Sequence, residues 1–155
     1  METGERFVIE GLAGKKTVRG TIAVHGAKNS ALKAMAAAVL FKNSLTLSNI
    51  PDIEDVRRMA DLLEHLSISI ARGAAGSMTI DTRFVSKTDL TADISKRLRA
   101  SIVLAGPLLA RLGHVSFPHP GGCVIGARPI DMFLEGFKKM GAAVSVKEKT
   151  YVVRA

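Results

Sequence analysis

The chain has 155 residues, a formal net charge of +8 and a single cysteine. This length is enough for one domain with a substantial core. One cysteine cannot form an internal disulfide, and we find neither a signal peptide nor an apolar run long enough to span a bilayer, so we expect a cytoplasmic protein without membrane association. The charge suggests an anionic partner, but the basic residues are dispersed and aromatic residues make up only 5%. No nucleic-acid partner is therefore expected.

The first half of the chain predicts two N-terminal strands, a helix, a strand, an amphipathic helix and a hairpin, in that order. These elements cover residues 7–9 and 17–24, 31–41, 45–47, 55–66, and 67–70 paired with 77–80. Asn29 or Ser30 is the expected N-cap of the first helix.

The second half predicts a long helical stretch, a strand, a glycine-rich loop, a helix and a second hairpin. These elements cover residues 93–112, 115–117, 120–129, 130–140, and 143–146 paired with 151–153. Gly106 and Pro107 predict a kink or division of the long helix. Gly141 is the expected C-cap of the last helix.

The order helix, strand, helix, hairpin thus occurs twice, offset by roughly 70 residues, which indicates an internal duplication. We divide the chain into N-terminal strands at 1–24, a first repeat unit at 25–82, and a second unit at 83–155 that carries the cysteine. No low-complexity linker separates two independent domains, and the fold class is α/β.

Cys123 lies in the segment 120–129, whose sequence is PGGCVIGARP. Glycines permit unusual backbone angles and prolines restrict φ, so the segment predicts a shaped loop that presents a thiol. Arg128 follows five residues later and favours the thiolate, which is one condition for a reactive cysteine. The alternative is that Cys123 is a small buried apolar residue without chemistry.

Three cationic side chains are candidate ligands for an anion. Lys28 is predicted at a helix start, where backbone N–H groups favour anions; it could instead face solvent. Arg99 lies on the predicted long helix, on the same face as Lys96, and could belong to a solvated charged face. Arg128 suits a carboxylate or phosphate but could pair with Asp131. The four histidines show no metal-ligand spacing, although His119 lies close enough in sequence to polarise the thiol.

Several motifs together resemble the UDP-N-acetylglucosamine enolpyruvyltransferases. The matching segments are 26–29 (GAKN), 99–101 (RAS), 106–111 (GPLLAR) and 120–131 (PGGCVIGARPID), in the family's order and spacing. The cysteine loop is the most specific of them. The related 5-enolpyruvylshikimate-3-phosphate synthases share the fold but lack this loop, so they match less well.

The resemblance implies an inside-out α/β barrel, of which two repeat units of one domain are present. It implies transfer of enolpyruvate from phosphoenolpyruvate to the 3'-hydroxyl of UDP-N-acetylglucosamine, the first committed step of peptidoglycan synthesis, with no cofactor and no metal. Cell-wall biogenesis, cell shape and cell division are the processes that this step serves.

The resemblance also assigns roles to residues. Cys123 would be the proton donor to the enolpyruvyl methylene and the residue alkylated by fosfomycin. Lys28 and Asn29 would bind phosphoenolpyruvate, and Arg99 would reach the nucleotide sugar. The uridine and phosphate site would be lined by Arg128, Pro129, Ile130, Asp131 and Met132.

Family members are more than twice as long as this chain. The resemblance therefore implies that a third unit of this domain and nearly all of a second domain are absent, so we expect the chain to be inactive alone and to require that C-terminal part as a partner. The alternative is a non-catalytic nucleotide-sugar-binding or assembly module derived from the same fold.

Overall fold

The computed structural model describes residues 6–11, 13–14, 17–121 and 129–155. From α1 onward the chain forms two units of the same plan. The first unit contains α1 (Lys28–Ala38), β1 (Ser44–Leu47), α2 (Glu54–His65), β2 (Ser69–Arg72) and β3 (Met78–Asp81). The second contains α3 (Ala92–Arg97), a 3₁₀ turn (Arg99–Leu104), α4 (Ala105–Leu112), β4 (His114–Pro118), α5 (Asp131–Lys139), β5 (Ala143–Lys147) and β6 (Thr150–Arg154).

Each unit forms a three-stranded antiparallel sheet in which the last strand in sequence is the central one. The strand orders are β1-β3-β2 and β4-β6-β5. Ile80 of β3 and Val153 of β6 each lie between two apolar residues of the neighbouring strands and are fully buried. Both predicted hairpins and the predicted duplication are thereby confirmed.

The two units share one hydrophobic core. Helix α1 packs against α2 of its own unit and against the 3₁₀ turn Arg99–Leu104 of the other. Met35, Leu63 and Leu104, one from each of these elements, are fully buried in the same cluster. Among the described residues, no helix combines the length and apolarity needed to cross a bilayer.

The predicted N-terminal strands at 7–9 and 17–24 are wrong for the part of this region that the structure describes. These residues are in no strand, and their apolar side chains face solvent, with Phe7 99% exposed. Alternating apolar residues form a strand only where a neighbouring strand accepts their hydrogen bonds and covers one face. The described chain places no such strand beside them.

The first helix begins earlier than predicted. Ala27 has an extended backbone and the first helical hydrogen bond runs from the Ala31 N–H to the Ala27 carbonyl, at 3.0 Å. Asn29 and Ser30 therefore lie inside the first turn, and the prediction that one of them is the N-cap is wrong. No side chain caps α1.

The predicted long helix over 93–112 is divided, but not where Gly106 and Pro107 suggested. The break is at Leu98, whose backbone is extended. Pro107 lies in the first turn of α4, where a missing N–H leaves no helical bond unmade. The C-cap of α5 is Met140, and the predicted glycine is the next residue. Gly141 has a φ of 98° and donates its N–H to the Lys138 carbonyl, so it ends the helix from one position beyond the cap.

Candidate functional site

A tight backbone contact fixes the start of α1. The Gly26 N–H donates to Asn49 Oδ1 at 3.0 Å. A Cβ added at Gly26 would lie 1.8 Å from the Asn49 carbonyl oxygen, which no real Cβ tolerates. The side chain at position 26 must therefore be absent for the segment before α1 to reach the corner after β1.

This contact brings the first turns of two helices together. Lys28, the first residue of α1, places its Nζ 2.8 Å from Asp55 Oδ2 in the first turn of α2. The Lys28 side chain is 52% exposed and that of Asp55 is 31% exposed. The predicted cation at a helix start is thus present, and it is paired with a carboxylate that an incoming anion would have to share or displace.

An open groove of about 400 Å³ lies beside the start of α1. One wall is formed by residues Gly26, Ala27, Ser30, Ala31 and Ala34, and the other by residues 46–50. Small side chains on the α1 wall leave the groove wide, and the N-terminal end of a helix favours an anionic group there.

The start of the cysteine loop is packed on the last turn of α3. The Gly121 N–H donates to the Ser95 carbonyl at 3.1 Å. A Cβ at Gly121 would lie 2.0 Å from the Lys96 carbonyl oxygen. Here too, a glycine is required by close approach of two backbones.

The other end of the loop, at Pro129, contacts the same segment. Arg99 Nη2 donates a long hydrogen bond of 3.4 Å to the Pro129 carbonyl oxygen. Both ends of the loop, at Gly121 and Pro129, therefore rest on the stretch 95–99. The prediction that Lys96 and Arg99 share one helix face is wrong, because the extended backbone of Leu98 interrupts the helix between them.

The residues after the loop have different environments. Ile130 is buried, with 1% exposure, and belongs to the core. Asp131 is in the first turn of α5, where a carboxylate is favoured by the helix dipole. Met132 is 86% exposed, and Pro129 and Asn29 are exposed as well.

Cys123 and Arg128 lie outside the described residues, so their predicted roles stay predictions. His119, two residues before the described part ends at 121, lies against Tyr151, with Nδ1 3.4 Å from the phenol oxygen. In the ranges that the structure describes, no three His, Asp or Glu side chains are grouped as metal ligands.

Two carboxylates next to arginines have altered acidity. The Arg57 guanidinium, which donates two hydrogen bonds to Asp52, lowers the pKa of that carboxyl. Hydrogen bonds from Arg83 lower the pKa of Asp81 in the same way. Both carboxylates stay ionised at neutral pH, so neither is suited to act as a general acid.

Sequence reasoning did not find Asp55 as the partner of Lys28 or Arg111 as a contact between the units. Asp55 is one of three acidic residues within four positions, and nothing in the sequence shows which of them faces Lys28. Arg111 belongs to a quoted motif, but its partners are about 30 to 70 residues away in sequence.

Solved structures define the class of the fold. The enolpyruvyl transferase NikO from Streptomyces tendae superimposes with a TM-score of 0.73 and 22% identity over 88% of this chain and 30% of that one. The EPSP synthase from Acinetobacter baumannii gives 0.62 and 16% over 87% and 32%. The fold is that of the α/β enolpyruvyl transferases.

Residues 12–155 match the family model EPSP synthase (3-phosphoshikimate 1-carboxyvinyltransferase), and the chain belongs to this family. Within it, the chain is similar to proteins named UDP-N-acetylglucosamine 1-carboxyvinyltransferase. The one from Helicobacter hepaticus is 41% identical over 139 residues, 90% of this chain and 33% of the relative. The one from Campylobacter hominis is 42% identical over 140 residues, again 90% and 33%. The resemblance found in the sequence is confirmed, and the chain spans about a third of the length of these relatives.

Proposed function

We propose that the chain is part of an enzyme that transfers enolpyruvate from phosphoenolpyruvate to the 3'-hydroxyl of UDP-N-acetylglucosamine. The names of the relatives, at about 40% identity over nine-tenths of this chain, support this choice of substrates. The geometric observation that carries the proposal is the anchoring of both ends of the cysteine loop on the stretch 95–99, beside Arg99. The reaction takes place in the cytoplasm and serves peptidoglycan synthesis.

In the proposed reaction, the Cys123 thiol gives a proton to the methylene carbon of phosphoenolpyruvate. The adjacent carbon becomes cationic and is attacked by the sugar hydroxyl, which loses its proton. Phosphate then leaves, and a proton is lost from the new methyl group to restore the double bond. A lid carrying the acid would exclude water from these steps.

The charged residues hold the two anionic substrates. Lys28, with Asn29 beside it, binds the phosphoenolpyruvate anion at the start of α1, where Asp55 keeps the ammonium group in place until the substrate arrives. Arg99 and Arg128, with Pro129, Ile130, Asp131 and Met132, bind the nucleotide sugar. Ile130 takes part through its backbone, because its side chain is buried.

The chain spans about a third of the length of its relatives. The group that accepts the hydroxyl proton, and further cations, would come from the remaining two-thirds of the enzyme. We therefore propose that the 155-residue chain binds ligands but does not turn them over unless the complementary polypeptide is added.

Intact mass after incubation with fosfomycin tests this function. A single adduct that is lost in Cys123→Ser, and that forms faster when UDP-N-acetylglucosamine is present, is expected. Lys28→Met should slow it, whereas Lys42→Met, which changes an exposed lysine beyond the end of α1, should not. No adduct in either condition, while iodoacetamide still labels the thiol, would contradict a working half-site and favour the non-catalytic module.

A further inference from the structure

Two arginines reach across the boundary between the units, each to the carboxyl end of a helix in the other unit. Arg111 of α4 donates from Nη1 to the carbonyl oxygens of Val39, at 2.7 Å, and Phe41, both just after α1. Arg58 of α2 donates from Nη1 to the carbonyl of Arg97, the last residue of α3, at 2.8 Å. The contacts are reciprocal, because each unit contributes one arginine that binds a helix end in the other unit.

Arg111 also binds the end of β3. Its Nη1 donates to Thr82 Oγ1 at 3.0 Å and its Nη2 donates to the Thr82 carbonyl at 2.8 Å. Thr82 is fully buried, and its hydroxyl in turn donates to the Phe41 carbonyl at 2.5 Å. One guanidinium therefore joins four acceptors on two separate segments of the first unit.

Helix ends explain why arginine is used at both places. The last carbonyl groups of a helix have no donor within the helix, and they carry the negative end of its dipole. A guanidinium is always charged and presents several N–H groups in a rigid plane, so it can satisfy several carbonyls at once. A lysine ammonium group has one nitrogen, so it cannot bind all the separate carbonyl and hydroxyl oxygens that the two Nη atoms of an arginine reach.

Both arginines contact elements that carry candidate substrate-binding residues. Arg111 binds the end of α1, the helix that begins with Lys28. Arg58 binds the end of α3, two residues before Arg99. We propose that Arg111 and Arg58 are positioning residues, a reciprocal pair that holds the Lys28 helix and the Arg99 turn in place across the unit boundary. The pair stands independently of the transferase proposal; only its consequence for substrate binding depends on that function.

Native-state hydrogen–deuterium exchange of the 155-residue chain tests the pair without any ligand. Arg111→Met should accelerate exchange in α1 about tenfold more than elsewhere, and Arg58→Met should do so in the stretch 95–101. Val153→Ala, at the buried centre of the second sheet, is the control for a general loss of stability. Acceleration spread evenly over the chain, as in that control, would overturn the proposal.

Milder variants keep the test decisive if Arg111→Met does not fold. Arg111→Lys retains the charge but not the planar fork, and Thr82→Val removes one acceptor. We expect faster exchange in α1 in both, by about threefold or more, because each breaks part of the same bridge. Unchanged α1 exchange in Arg111→Lys would show that charge alone suffices and would overturn a positioning role for the guanidinium.

Discussion

Lys28 Nζ lies 2.8 Å from Asp55 Oδ2, which joins the first residue of α1 to the first turn of α2. Both side chains remain partly exposed, and ion pairs of this kind are weak because water and salt screen them. Asp55 therefore orients the ammonium group but binds it only weakly. An anion with more charge than one carboxylate can compete with Asp55 for the ammonium group.

Asp55→Asn should lower the free energy of unfolding in urea by less than about 1 kcal/mol, because the pair is partly exposed. The same variant should bind phosphoenolpyruvate more tightly in calorimetry, because a competing carboxylate is removed. Asp61→Asn, on the same helix, is the control for the change of charge. A loss above about 2 kcal/mol, or weaker binding, would mean that Asp55 supports the fold or the ligand directly.

Gly26→Ala should be strongly destabilising. The new Cβ would lie 1.8 Å from a backbone oxygen of Asn49, so two backbone segments must move apart. We expect a loss of about 1 to 3 kcal/mol or more in urea unfolding, the range typical of overpacking with backbone shifts. Gly136→Ala is the matched control: it lies within α5 with open space around it, and it should stabilise by up to about 1 kcal/mol. Equal effects of the two substitutions would contradict the contact at Asn49.

Gly121→Ala should move the start of the cysteine loop away from α3, because its Cβ would lie 2.0 Å from the Lys96 carbonyl. We expect the rate of fosfomycin adduct formation on Cys123 to fall by about tenfold or more, as is typical when a reacting group is misplaced. The iodoacetamide rate reports whether the thiol remains accessible. An unchanged fosfomycin rate would show that this anchor does not place the thiol.

Stability should fall in acid because of two aspartates. Arg57 lowers the pKa of Asp52 and Arg83 lowers that of Asp81 in the folded chain. A carboxyl whose pKa is lower when folded contributes stability above its unfolded pKa, and that contribution is lost as the pH falls through the folded pKa. The loss should therefore begin near pH 4, about the ordinary aspartate value, and continue below it. In thermal unfolding, the double variant Asp52→Asn with Asp81→Asn should show a shallower decline; an identical decline would rule these pairs out as its cause.

Much of the fold could be predicted from local patterns. The duplicated order of elements, both hairpins and the αL glycine at 141 depend on periodicity and turn chemistry over a few residues, and all agree with the structure. The N-terminal strands did not, because a strand needs a neighbour that local sequence does not reveal. The helix break is at Leu98 and not at Pro107. Pro107 does not break the helix because it lies in the first turn of α4, where proline is tolerated.

The candidate site, like the fold, could be predicted from the sequence only in part. The sequence by itself identified the family, and it predicted the cysteine loop and the cations at Lys28 and Arg99, since these depend on residue types at fixed spacing. Only the tertiary structure decided that Asp55 pairs with Lys28, that Gly121 and Pro129 both rest on the stretch 95–99, and that Arg111 and Arg58 join the units. Such contacts depend on how distant backbone segments pack, and a side chain reaches its partner only after the whole core has set their distance.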